Sequence, residues 1–377
     1  MPRKNPRSPR RCICFVTGTR AEFGLMQSVL MAIRANPQLQ LQIIATGMHL
    51  DPRHGRTIDR MKVDAAVPWR AGRRAVATGH AIAALAREFV RLKPDVVLVV
   101  GDRVEAFAAA AAAHLCDIAV AHVHGGDRAL GQMDDALRHA ISKLAHVHFP
   151  ATRQSADRLA KMGENRRRIH RVGSPGIDGI HRSAAPPSEI RAEFPELVRP
   201  FALLVLHPIE ANESAEFRRA AIVLKAVAAT GLQIVIIHPN NDPGAGGIIR
   251  CWQKLARGKR FIVRRDVPRE MFLGLLRDAA LLVGNSSSGI IEAASFRTPV
   301  IDVGPRQLGR ERCKDVRNVP YRQSAVSAAI LRILNNGRPR RGKCANSYGG
   351  DKTGAKIASI LVRLRIDQRL LRKIISY

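Results

Sequence analysis

Apolar runs alternate with amphipathic segments along almost the whole chain. Ten runs have the character of strands: Ile13–Thr17, Leu41–Thr46, Val96–Val100, Ile118–His122, His148–Pro150, Leu203–Leu206, Ile234–Ile237, Phe261–Val263, Leu281–Val283 and Val300–Val303. Segments with helical spacing lie between them, such as Gly24–Arg34, Thr78–Arg91, Val104–Leu115 and Glu270–Arg277. Continuous apolar strands separated by helices are typical of parallel sheets that are buried on both faces. The pattern therefore predicts an α/β protein made of βαβ units.

The alternation weakens once, in a stretch rich in Pro, Ser and charged residues between Gly176 and Pro200. We therefore predict two Rossmann-like domains, residues 12–178 and 201–351, joined by a linker over residues 179–200. A basic, flexible N-terminus (residues 1–11) and a C-terminal helical tail (residues 352–377) complete the prediction. Ligands of doubly wound sheets bind at the carboxyl ends of the strands. In a two-domain version we expect the site in a central cleft, with the C-terminal domain binding the nucleotide.

The charge of the chain raises the question of its partners. The 377 residues carry a formal net charge of +31 but only 4% aromatic residues. The basic residues are spread along the chain, and aromatic side chains on which bases could stack are few, so we expect no nucleic-acid partner. No apolar run is long enough to cross a bilayer, and no signal-peptide core follows the basic start. These features predict a cytoplasmic protein without a membrane partner.

Polar groups follow four of the predicted strands. The turn VTGTRAEFGLM offers the first N–H groups of a helix, with Arg20 beside them, as an anion site. The segment LLVGNSSSGIIEAASF offers Asn285, three consecutive serines and a helix start, a pattern that suits a phosphate. No GxGxxG motif is present, so a nicotinamide cofactor is not indicated.

The other two strand ends carry carboxylates and histidines. Asp102 follows VVLVVG, and the segment AHVHGGDRALGQMDDALRHA supplies His122, His124, Asp127 and Asp134. A metal site is one interpretation, but no third ligand has convincing spacing, and we expect neither metal nor cofactor. Paired carboxylates for proton transfer, Asp102 with Asp127 or Asp134, fit the residues better.

These motifs together resemble the hydrolysing UDP-N-acetylglucosamine 2-epimerases, which make N-acetylmannosamine for sialic acid synthesis. The resemblance runs from about Cys12 to Leu361 and rests on motifs that occur in one order. They are VTGTRAEFGLM, TGMHL, KPDVVLVVGDR, AHVHGGD, DDALRHAISKLAHVHF, VGSPGID, HPNNDPG, GNSSSGIIEAASF, RTPVIDVGPRQLGRER and YGGDKTGAKI. The family implies a GT-B-like architecture of two Rossmann-like domains and a homo-oligomer, either a dimer or a tetramer.

The resemblance also implies roles for individual residues. Asp102 and Asp134 match catalytic carboxylates, with Asp135 as the alternative to the favoured Asp134. His124 or Asp127 is a candidate for the second proton carrier. Contacts with the UDP-sugar are implied for Arg20, Arg103, Arg138, His207, Asn240 and Arg306, with Ser286 and Ser287 at the phosphates and Glu292 at the ribose. The implied reaction removes the C2 proton, expels UDP to give a glycal, and then adds water.

The sequence departs from the family pattern at several positions. His124 stands where some members carry a catalytic Glu, HGGD replaces the commoner HGGE, and Pro305 replaces a small or acidic residue. Three functions remain as alternatives to the hydrolysing UDP-N-acetylglucosamine 2-epimerase. They are the same reaction on UDP-diacetylbacillosamine for legionaminic acid synthesis, a non-hydrolysing UDP-N-acetylglucosamine 2-epimerase, and a GT-B glycosyltransferase.

Overall fold

The computed structural model describes residues 10–52, 56–128, 135–239, 242–335, 338–339, 345–349 and 351–376. The described residues form two compact units. Of the described residues, the first unit contains 10–127, 135–178 and those from Tyr348 onward. The second unit contains Arg128 and those within Gly179–Ser347.

The first unit is built on a parallel six-stranded sheet of order β3-β2-β1-β4-β5-β6. Its strands are β1 (Arg11–Thr17), β2 (Leu39–Thr46), β3 (Ala65–Val67), β4 (Val96–Val100), β5 (Ala119–Val123) and β6 (Val147–Phe149). The helices between them are α1 (Arg20–Ala35), α2 (Arg74–Leu92), α3 (Val104–Leu115), α4 (Asp135–Leu144) and α5 (Arg153–Lys161).

Helix α3 shows how composition fits packing in this unit. Its alanines from Ala108 to Ala113 are all buried, and the helix packs against both α2 and α4 as well as the sheet. Small side chains let the three helices approach closely, which holds the ends of β4 and β5 side by side.

The second unit repeats the design with a parallel six-stranded sheet of order β12-β11-β10-β7-β8-β9. Its helices are α6 (Ile180–Ser183), α7 (Pro187–Glu193), α8 (Glu213–Ala228), α9 (Ala245–Leu255), α10 (Arg269–Asp278), α11 (Ser288–Ile291) and α12 (Gln323–Ile333). Its strands are β7 (Phe201–Val205), β8 (Gln233–Ile237), β9 (Phe261–Arg264), β10 (Leu281–Gly284), β11 (Val300–Val303) and β12 (Val316–Val319), and a hairpin of β13 (Leu334–Asn335) and β14 (Arg338–Pro339) follows. The stretch predicted as a linker thus holds α6 and α7 and belongs to this unit.

The C-terminal segment returns to the first unit through α13 (Thr353–Arg363) and α14 (Gln368–Leu371). Helix α13 packs on α1, and Ile357, Ala358 and Leu361 join the core of the first unit. Both carboxylate oxygens of Asp178 accept main-chain N–H groups at its start, from Thr353 (2.8 Å) and Gly354 (2.6 Å).

Lys373 attaches the last residues to helix α4. Its ammonium donates to the carbonyls of Ser142 (3.0 Å), Lys143 (2.7 Å) and Ala145 (2.7 Å) and pairs with the buried Glu164 at 2.6 Å. A cation at the carboxyl end of a helix satisfies its last carbonyls and complements its dipole. The C-terminal segment therefore helps to hold α4 in place.

Candidate active site

The ends of β4 and β5 bring the predicted carboxylates of the first unit together. The two strands pair in parallel, so Asp102, which follows β4, and His124 and Asp127, which follow β5, come to the same edge of the sheet. Asp102 is partly exposed, with 19% of its side-chain surface open. His124 and Asp127 are buried.

Arg138 of helix α4 joins these groups. Its guanidinium, only 3% exposed, donates through Nη2 to Oδ2 of Asp102 and through Nη1 to the carbonyl of His124 at 3.2 Å. Charge-assisted hydrogen bonds in a buried site are strong and directional. Arg138 therefore fixes the Asp102 carboxylate against the turn that follows β5.

His124 and Asp127 form a second, fully hydrogen-bonded group. Nδ1 of His124 lies 2.8 Å from Oδ2 of Asp127, and its Nε2 lies 3.0 Å from Oγ of Ser174. The other carboxylate oxygen of Asp127 accepts the hydroxyl of Ser155 at 2.7 Å. Both ring nitrogens and both carboxylate oxygens thus have protein partners.

Two glycines allow this close arrangement. A Cβ on Gly126, whose φ is +76°, would lie 2.3 Å from the carbonyl oxygen of Ser155, and one on Gly125 would lie 2.8 Å from Nδ1 of His122. Burial lowers the pKa of His122 to about 3, so its ring is neutral at physiological pH. Its Nε2 lies 2.8 Å from the carbonyl oxygen of Gly101, which ties the end of β5 to the end of β4.

The turn after β1 differs from the expected open anion site. Glu22 accepts the N–H groups of Gly18 (2.8 Å) and Thr19 (3.0 Å), and Thr19 in return caps the N–H of Glu22. This capping box occupies donors that an anion would otherwise use. Burial raises the pKa of Glu22 to about 7, Arg103 opposes the rise, and Glu105 adds to it. Arg20, one position after the cap, is exposed.

Arg103 points back toward the same turn. Its guanidinium makes two hydrogen bonds with the buried carboxylate of Glu105, at 3.1 and 3.2 Å. Glu105 packs so closely that a Cβ on Gly18 would lie 2.8 Å from its side chain and one on Gly47 would lie 2.7 Å from it. The two guanidinium–carboxylate pairs, Arg138 with Asp102 and Arg103 with Glu105, therefore lie at the end of one strand.

The second unit assembles its own set around Asn285, which follows β10 and is fully buried. Its side chain accepts the N–H of His207 (2.7 Å) and donates to the carbonyl of His207 (2.8 Å) and to the hydroxyl of Tyr321 (3.1 Å). Its own carbonyl accepts Arg306 at 3.2 Å and Gln307 at 2.9 Å. Asn285 thus connects the ends of β7, β10 and β11.

Four residues in or beside this set are expected from the sequence to contact the nucleotide: His207, Ser286, Ser287 and Arg306. Burial lowers the pKa of His207 to about 3, and the nearby Arg306 adds to the effect. Ser286 and Ser287 are half-buried, and Ser287 makes no hydrogen bond as the cap of α11. Since α11 has only four residues, its dipole is small, and an anion here would depend on hydroxyl and N–H groups.

Glu292 is held by a neighbouring helix. Its carboxylate, 7% exposed, pairs with Arg269 at the start of α10 at 2.7 Å.

Two expected residues, Asp134 and Asn240, lie outside the described residues. Within the described part of the chain, no cluster of three or more His, Cys, Asp or Glu side chains could hold a metal ion. No helix in that part is both long and apolar enough to span a membrane.

Sequence reasoning missed several side chains that complete these sets. Ser174 and Ser155 support His124 and Asp127, and Glu105 supports Arg103. Ser174 lies in the motif VGSPGID, which contributes to the family resemblance but to which the sequence analysis gave no function. Ser155 lies in a helix whose sequence carries no sign of its partner 28 residues earlier.

The chain matches the family model described as UDP-N-acetylglucosamine 2-epimerase over residues 31–362. The chain belongs to this epimerase family. One member, the UDP-N,N'-diacetylbacillosamine 2-epimerase (hydrolyzing) of Legionella pneumophila, is 36% identical over 97% of this chain and 100% of its own length. The UDP-N-acetylglucosamine 2-epimerase of Neisseria meningitidis is 35% identical over 87% of this chain and 89% of its own.

Solved epimerases share the fold. The Neisseria meningitidis UDP-GlcNAc 2-epimerase bound to UDP-GlcNAc superposes with a TM-score of 0.81 at 18% identity, over 94% of this chain and 100% of that one. The predicted α/β class, with two Rossmann-like domains of GT-B-like type, is thereby confirmed.

Proposed function

We propose that this family member is a hydrolysing 2-epimerase of a UDP-linked 2-acetamido sugar. With UDP-N-acetylglucosamine, the substrate expected from the sequence, UDP-sugar and water would give UDP and N-acetylmannosamine. The observation that carries the proposal is the Asp102 carboxylate at the end of β4, held by the buried Arg138 beside the turn after β5. The hydrolysing activity of the Legionella pneumophila relative supports the hydrolysing route.

In the proposed reaction, Asp102 removes the proton from C2 while the bond between C1 and the diphosphate oxygen breaks. The electron pair forms the C1=C2 double bond of a glycal, and UDP leaves as an anion. Water then adds to the double bond: its oxygen bonds to C1 as one O–H bond breaks, and the second acid delivers a proton to C2 from the opposite face. The proton released by water restores that acid, and Asp102 returns its proton to solvent. Asp127 has both oxygens in hydrogen bonds, so we assign the second proton transfer to Asp134.

The leaving group needs positive charge and hydrogen-bond donors where its charge develops. We assign Ser286, Ser287, His207 and Arg306 of the second unit to the diphosphate and Glu292 to the ribose. From the first unit, Arg20 and Arg103 would contribute positive charge. Asn240, which the family resemblance implies, completes the set assigned to the nucleotide.

A second substrate, UDP-N,N'-diacetylbacillosamine, has specific support. The relative whose alignment spans 97% of this chain acts on that sugar, as does the Campylobacter jejuni GDP/UDP-N,N'-diacetylbacillosamine 2-epimerase at 31% identity. Both sugars carry an acetamido group on C2, so the bonds broken and formed are the same. The difference lies in the group on C4 and in the C6 substituent.

The test is turnover of each UDP-sugar in D₂O, with free UDP and free sugar measured separately. The proposal predicts equal amounts of UDP and a C2-epimerised free sugar that carries deuterium at C2. A UDP-linked epimer with no free UDP would indicate the non-hydrolysing reaction. Asp102→Asn should abolish turnover while UDP still binds, and Asp157→Asn, whose side chain is 56% exposed, serves as the matched control.

A further inference from the structure

The backbone at His124 is unusual for a buried side chain. His124 has φ of +61° and is 4% exposed. The left-handed region costs a non-glycine residue about 1 kcal/mol or more. Glycine would avoid that cost, and the next two residues are glycines. The histidine side chain must therefore contribute something that compensates for the conformation.

The side chain of His124 is anchored at both nitrogens. Asp127 as a carboxylate can only accept, so Nδ1 of His124 carries the hydrogen that bridges the 2.8 Å to Oδ2. Nε2 of the same ring lies 3.0 Å from the hydroxyl oxygen of Ser174, so both ring nitrogens are hydrogen-bonded to protein groups. Neither nitrogen is left to exchange a proton with a substrate.

The left-handed conformation of His124 orients its main-chain carbonyl toward Arg138. With φ positive, the carbonyl of His124 faces Arg138 and accepts its Nη1 at 3.2 Å, while Nη2 of the same guanidinium holds Asp102. Rotation of residue 124 into an extended conformation would turn this carbonyl away. Arg138 would then lose one of the two acceptors that fix its plane.

We propose that His124 is a positioning residue that acts through its main-chain carbonyl, with its imidazole anchored by Asp127 and Ser174 to keep the left-handed turn. This inference rests on the proposed epimerase function. It gives Asp127 and Ser174 a role in orienting Arg138 and Asp102, rather than in transferring protons. A misplacement of about 1 Å at a reacting group can cost 10²-fold in rate, so the turn would affect the rate without touching the substrate.

The experiment is a double-mutant cycle on kcat with the UDP-sugar that the wild-type protein turns over. Asparagine enters the left-handed region more readily than other non-glycine residues, whereas alanine does not. We expect His124→Ala to lower kcat by about 10- to 100-fold, and His124→Asn to restore most of that loss. In an Arg138→Lys background, which lacks the guanidinium that joins the His124 carbonyl to Asp102, His124→Ala should lower kcat by less than about 3-fold further.

Two results would overturn the proposal. If His124→Asn loses as much activity as His124→Ala, the imidazole itself is needed and His124 is a proton carrier. If the loss on His124→Ala is the same in the wild-type and Arg138→Lys backgrounds, His124 does not act through Arg138. Should His124→Ala fail to fold, the activity of His124→Asn decides: retention supports the proposal and loss contradicts it. Failure of the epimerase function itself would appear separately, as absence of turnover by the wild-type protein.

Discussion

Asn285 offers a sharp test of the proposal that the second unit binds the nucleotide. Asn285→Ala removes three hydrogen bonds, two to the main chain of His207 and one to Tyr321. Because the site is fully buried, the N–H and carbonyl of His207 lose their partners, and each unsatisfied group costs about 1–3 kcal/mol. Part of this energy destabilises the unit, and part is lost from UDP binding because the main chain at His207 is no longer held. A share of about 1.4 kcal/mol raises the Kd for UDP tenfold.

The assay pairs calorimetric titration of UDP with thermal unfolding. Thr298→Val is the matched control, since Thr298 is buried in the same unit and donates to the carbonyl of Leu276 at 2.7 Å. Thr298 precedes β11, at the edge of the sheet opposite to Asn285. Both variants should lower the unfolding temperature, but only Asn285→Ala should weaken the binding of UDP. Equal Kd values for the two variants would refute the proposal that Asn285 holds His207 in place for UDP binding.

Three further predictions concern stability. Burial raises the pKa of Glu22 from 4.5 to about 7, so its stabilising contribution is complete below pH 4.5 and is lost as the pH rises through 7. Relative to Glu22→Gln, the free energy of unfolding of the wild type should fall by up to about 3 kcal/mol between pH 4.5 and 8. An equal pH dependence of the unfolding free energy in the two proteins would contradict this. Lys373→Met should destabilise the first unit by about 3–5 kcal/mol in urea unfolding, with Lys373→Arg losing less. Gly126→Ala should lower the unfolding temperature by several degrees because of the clash with Ser155, whereas Gly24→Ala, inside α1 with open space around it, should raise it slightly.

The sheets were predictable because their central strands are continuous apolar runs. All ten predicted strands are present, since a strand buried on both faces leaves a direct signal in the sequence. Strands β3 and β12 of the two six-stranded sheets were missed, as was the β13–β14 hairpin. Strands β3 and β12 are short and lie at the edges of their sheets. Strand β12 exposes Arg317 and Asn318, so no apolar run marks this strand in the sequence.

The tail shows another limit of sequence reasoning. The spacing of Ile357 and Leu361 predicted a helix, which the structure contains as α13. Periodicity gives an apolar face but does not identify the surface that covers it. That surface is α1, more than 300 residues earlier in the chain.

The candidate site was predictable where strand topology decides it. Parallel pairing of β4 and β5 was enough to place Asp102 near His124 and Asp127. The imidazole of His124, which holds the left-handed turn, is hydrogen-bonded to Ser174, 50 residues later. Before α1, the carboxylate of Glu22 accepts the N–H of Gly18 that an anion would otherwise use. Such contacts are fixed by tertiary packing, and no local pattern reports them.

The return of α13 to the first unit has a consequence for the order in which the protein folds during synthesis. Residues 179–347 are translated between Asp178 and the helix that it caps. At about 5–20 residues per second, this takes roughly 10 to 30 s. During that time the face of α1 that receives Ile357 and Leu361 stays uncovered on the ribosome. A nascent chain halted just before Thr353 should therefore be bound by chaperones through α1, and the full-length chain released from the ribosome should not.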